Sequence, residues 1–273
     1  MKKIILIIII PTFLVISNIL KDNFELPEVD ISKEERSLNF NQSIMNFFSS
    51  GQKRLLSNIL WIHTMLESDT ERVKDKNSWM YYRFKSISNL EPLFYENYIY
   101  GGLYLSIIKD DVEGASDLYN QGLDYYKDDF WLNYNSAFND YFELQNREEA
   151  LRKYKVALKS PEAKAHEKYL PSLVSRIQAE TGGLKEAYVI LFNHYNNTPD
   201  GKLKTRLRES LYSLKAEMDL DCLNSGNRKC HTRDFNGDLY LSKNGKYEAI
   251  KEWKVFRPKK KRKTKSSSSL KNN

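Results

Sequence analysis

Two cysteines, four histidines and one Asp-x-Asn-x-Asp run are the side chains of this 273-residue chain best suited to chemistry. Cys222 and Cys230 are eight residues apart, a spacing that suits a disulfide closing a short loop if the protein is exported. With His231 and an aspartate at 219 or 221 they could form a metal set, but the spacing matches no zinc pattern. Asp234, Asn236 and Asp238 imitate the opening of a calcium loop. The sixth position is Leu239 instead of glycine and the twelfth is Gly245 instead of glutamate, so a turn accounts for the run. His63, His166, His194 and His231 lie in no metal-protease pair, and no nucleophile elbow, phosphate loop or dinucleotide fingerprint occurs. The reading is of a non-enzymatic protein that needs no metal and no cofactor.

The elements that position these residues repeat. Met80, Ala115 and Ala150 are spaced by 35 residues, as are Phe84, Tyr119 and Tyr154, and then Ile87, Gly122 and Ala157. Steps of four and three within each set put all three positions on one helix face. A preceding helix shows the rows Asn97, Tyr100, Gly101, Tyr104 and Tyr134, Ala137, Phe138, Tyr141. The first row begins two residues further from its alanine, which predicts a longer turn through Lys109–Asp111. Pro92 and Pro161 end second helices, because proline disfavours helical geometry in the residue before it. A weaker copy carries Ser175, Ala187 and Leu191 after Gly182-Gly183.

Over roughly residues 60 to 195 the chain resembles the tetratricopeptide repeat (TPR) family, a 34-residue helix–turn–helix unit. The matching positions are Gly101-Tyr104, Ala115-Tyr119, Ala150-Tyr154, Pro92 and Pro161. The segment from Gly51 to Trp61 is similar to the lead-in of bacterial membrane-anchored members. The resemblance implies a mainly α helical-repeat solenoid over residues 51–199. It also implies a concave groove of peptide-binding residues: Tyr95, Tyr98, Gly102 and Leu105 from one unit, Leu132, Asn135, Asn139 and Phe142 from the next, then Ser172 and Arg176. The lysines of the carboxylate-gripping members are missing. An extended peptide or amphipathic helix is therefore the expected partner.

Beyond the repeats, Leu203, Leu207, Leu211, Leu214 and Met218 predict a helix over 200–223 that closes the open end. Asn236-Gly237 and Asn244-Gly245 then predict a small β-hairpin module over 224–256, with Cys222 and Cys230 at its start.

The two ends set the compartment. Lys2 and Lys3 precede an uncharged run, Ile4 to Leu20, and Asp22, Glu25, Glu28 and Asp30 follow it. That polarity predicts a single-pass signal anchor over 1–20, a juxtamembrane segment over 21–50, and export of the remainder from an inner membrane. The formal charge of +7 is concentrated in residues 251–273, with ten Lys or Arg against Glu252, so the body between the ends is mildly acidic. Residues 257–273, with Lys259, Lys260, Lys261, Arg262 and Lys263, read as a disordered tail able to hold an anionic lipid or polymer. Phe256 is the last aromatic residue, which argues against nucleic acid as a partner. Two functions follow: a scaffold working through its groove, or an attachment protein working through its tail.

Overall fold

The computed structural model describes residues 51–67, 78–166, 168–226 and 229–256, with Met45, Phe47 and Ser49. The expected anchor, most of the juxtamembrane segment and the basic tail with Lys259, Lys260, Lys261, Arg262 and Lys263 lie outside the described residues. Among the described residues no helix is long and apolar enough to cross a membrane.

The fold is mainly helical. In chain order the helices are α1 (Lys53–Leu66), α2 (Trp79–Leu90), α3 (Tyr95–Leu103), α4 (Val112–Tyr125), α5 (Phe130–Phe138), α6 (Arg147–Lys159), the short α7 (Glu162–His166), α8 (Leu170–Glu180), α9 (Leu184–Asn197) and α10 (Lys202–Asn224). Two π-turns, Tyr104–Lys109 and Asn139–Glu143, prolong α3 and α5. The principal contacts join each long helix to the next one or two in the chain. Side-chain caps start α2, α4, α5 and α6, where Ser78, Asp111, Asp129 and Asn146 accept from backbone N–H groups in the first turn.

The 35-residue period holds at the level of backbone geometry. The π-turns begin 35 residues apart. They are followed by left-handed residues, Asp110 and Gln145, at the same interval, and then by the caps Asp111 and Asn146. The two turns are thus equal in length, which corrects the longer turn expected at Lys109–Asp111. Burial repeats too: Asn97, Tyr98, Gly101, Gly102 and Leu105 of α3 and its π-turn correspond to Leu132, Asn133, Ser136, Ala137 and Asp140, all buried. On the second helices, Met80, Ala115 and Ala150 are closed to solvent, as are Phe84 and Tyr154, with Tyr119 nearly so.

Small residues set the closest approaches. A Cβ on Gly122 would stand 2.7 Å from the Tyr98 ring, and one on Gly102 would collide with the Tyr119 ring. Ala187 and Leu191 carry the pattern into α9 and pack with Leu207, Leu211 and Leu214 of α10.

Residues 229–256 fold back along α10. Leu241–Lys243 (β1) and Lys246–Glu248 (β2) pair antiparallel around Asn244-Gly245, where both turn residues have positive φ. Around Asn236-Gly237 there is only a single bridge, Arg233 with Leu239, so that turn lacks the longer strands the sequence suggested. Leu239 and Leu241 face solvent, and Tyr240 is the residue turned inward, donating to Asp219 Oδ2 at 3.1 Å. Further along, the Phe256 N–H reaches Glu217, and the Lys251 N–H reaches the Tyr212 hydroxyl. Cys222 and Cys230 are joined in a disulfide with their Cα atoms 5.7 Å apart, as their spacing predicts.

Candidate functional site

The groove residues expected from sequence separate into two groups. Tyr98, Leu132 and Asn139 are buried, and so are Gly102 and Leu105, so none of them presents a side chain to a partner. Each has a structural duty. The Tyr98 ring fills the space over Gly122 and its hydroxyl donates to the Pro92 carbonyl at 2.9 Å; burial pushes this phenol up to about 12. Asn139 Nδ2 donates to the Val112 carbonyl, and its Oδ1 accepts from Ser106 Oγ, both at 2.8 Å, binding the two π-turns together.

The second group remains at the surface. Asn135 and Tyr95 are partly exposed, and Phe142 and Arg176 are exposed. Tyr95 is nonetheless committed: its hydroxyl donates to Asp129 Oδ1 at 3.1 Å, and burial with the Asp129 charge holds the phenol up. Ser172 is partly exposed on α8 and lies 3.2 Å from His194 Nδ1.

The solvent-facing row is offset from the one expected. On α5 and its π-turn it runs Trp131, Asn135, Phe138, Phe142; on α3 it runs Glu96, Tyr100, Leu103, Ile107, the same places 35 residues earlier. On α1 it runs Leu55, Ile59, Ile62, Leu66 with identical spacing, and these four are between 53% and 80% exposed. The intervals of four, three and four keep each row on one helix face. Sequence reasoning missed Tyr100, Ile107, Trp131 and Phe138, because aromatic side chains occur on both faces of these helices. The signal that could have found them is the burial row itself, in which glycine, alanine and serine mark the packed face.

The rows on α3 and α5 belong to one surface, since these helices touch directly and Asn139 bonds Ser106 between them. Phe138 and Phe142 pack with tilted rings, their centroids 4.5 Å apart, and leave much of both rings open to solvent. The face carries little charge of its own apart from Glu96. At its far end, Tyr141 donates to Glu180 of α8, which Arg147 also holds at 3.0 Å, so the polar rim is already paired. What such a face can do chemically is exclude water from an apolar side chain laid across it.

The Asp-x-Asn-x-Asp run is a turn. Asp234 Oδ1 accepts from the backbone N–H groups of Asn236 and Asp238 at 2.8 and 3.1 Å. Of the histidines, His63 lies beside Glu67, which Arg83 grips from α2, and His194 takes a partly exposed place on α9.

No protein-family model, curated protein or solved structure matches the chain.

Proposed function

We propose that this protein is a helical-repeat scaffold of the TPR type, anchored in a membrane by its N-terminal run and exported. It holds a protein partner against the exposed rows of its first helices. The observation that carries the reading is the repetition of one exposed, mainly apolar row in one phase on α3 and α5, with an apolar row of the same spacing on α1. A row that stays exposed opposite the packed face of the same helix suits a surface completed by another chain. The period is one residue longer than the family's unit. A π-turn takes up one extra residue, and each of the two regular units has one. The acidic stretch after Ile4–Leu20 and the oxidised cysteine pair support export.

The partner that fits is an extended segment or an amphipathic helix with apolar anchors, since the face offers rings and aliphatic chains and few charges. A photo-crosslinking residue placed at Ile107 or Phe142 in the full chain, in its own cells, should give one discrete adduct. The same residue at Lys159, exposed at the end of α6, should give none. Equal adducts from both places would overturn the assignment.

A further inference from the structure

A second feature lies away from those rows. Between the end of α6, α7, the start of α8, and the junction of α9 with α10 there is a cleft of about 840 Å³. That volume lies within the range of small-molecule sites, about 300–1,000 Å³. Its walls are apolar, with Leu158, Pro171, Ile190 and Leu203 among the lining side chains. Its charged lining is one-sided: Lys164, Lys168 and Lys202 against Asp200, whose carboxylate is paired with Lys204 at 3.0 Å and is almost fully exposed. His194 also lines it, held between the Ser172 hydroxyl and the Lys168 backbone.

We propose that this cleft binds a single-chain anionic amphiphile, with the acyl chain among Leu158, Pro171, Ile190 and Leu203 and the carboxylate at the lysines. Apolar walls alone would accept any hydrophobe. Three ammonium groups with one counter-charge already engaged elsewhere select an anion. The Ser172 hydroxyl and His194 imidazole engage one another, so neither competes with a carboxylate for the lysines.

The test is calorimetric titration of decanoate, and of decanol as its uncharged counterpart, into the full chain in lipid nanodiscs, with empty nanodiscs subtracted. One decanoate should bind per chain, about tenfold or more tighter than decanol, as a charge-assisted contact supplies. Replacing Lys164, Lys168 and Lys202 together by Gln should abolish that preference. Asn193→Trp, an exposed lining position, should block both ligands while the circular dichroism and thermal midpoint stay unchanged. Equal binding of decanoate and decanol would overturn the proposal. So would decanoate binding that is indifferent to Asn193→Trp, because the ligand would then lie elsewhere on the molecule.

Discussion

The Lys153 ammonium lies 2.7 Å from Asp140 Oδ2, and both side chains are closed to solvent. Its other hydrogen-bond partners are Asn120 Oδ1 and Ser136 Oγ, each at 2.8 Å. Three donors meet three acceptors from α4, α5 and the second π-turn, so one side chain of α6 ties three preceding segments together. Removing one partner of such a pair strands the other. Lys153→Met should cost about 3–5 kcal/mol in denaturant unfolding. Lys153→Met combined with Asp140→Asn should recover part of that loss. A double variant no better than the single one would show that the cost is packing and not charge.

The Tyr98 ring and Gly122 make a second test. A methyl group on Gly122 enters the space of the ring, and overpacking of this kind costs about 1–3 kcal/mol. Gly122→Ala should lower the thermal midpoint, and adding Tyr98→Leu should restore part of it. Simple additivity of the two substitutions would contradict this contact as the cause.

Reduction of the Cys222–Cys230 bond should loosen residues 229–256 and leave the helices in place. The loop it closes is short, so the chain-entropy contribution is about 2–3 kcal/mol. Hydrogen exchange should quicken at Tyr240 and Tyr247, while helical circular dichroism holds at ordinary temperature. Loss of the helical signal on reduction would mean that α10 itself depends on the bond.

Burial holds the His194 imidazole below its ordinary value of 6.5, with the hydrogen bond to the Lys168 backbone opposing. The folded chain therefore takes up this proton less readily than the unfolded one. Its contribution to stability is complete above 6.5 and is lost as the pH falls through the lower folded value. His194→Gln should accordingly be less stable than the parent at pH 7.5 and close the gap at pH 5. A difference in midpoint that does not change with pH would refute the shift.

The period of 35, the disulfide and the second asparagine-glycine turn could all be read from residues, because each depends on local geometry or on one residue type at a fixed interval. The phase of the first helices could not. Tyr134 and Phe138 look like core residues, yet Phe138 is at the surface while Ser136 and Asp140, polar by type, lie inside beside Lys153. Polar burial of this kind depends on a partner 13 to 33 residues away, which a single helical pattern does not reveal. The π-turns were hidden for a related reason: an extra residue in a turn has no composition of its own. The inward Tyr240 was also obscured, since its partner Asp219 lies on α10, 21 residues away.

The way residues 229–256 lie on α10 also determines how the molecule would bear a load. Tension applied beyond Phe256 would first detach its N–H from Glu217, then Lys251 from Tyr212, then Tyr247 from Asn224. Each attachment is one or two hydrogen bonds with local packing beside it, broken in turn, so the strap would peel stepwise and not give way at once. Peeling ends at Cys230, where the covalent link passes the pull to Cys222 in the last turns of α10. The C-terminal end would then act as an extensible leash with a fixed stop, yielding its length before any helix is strained.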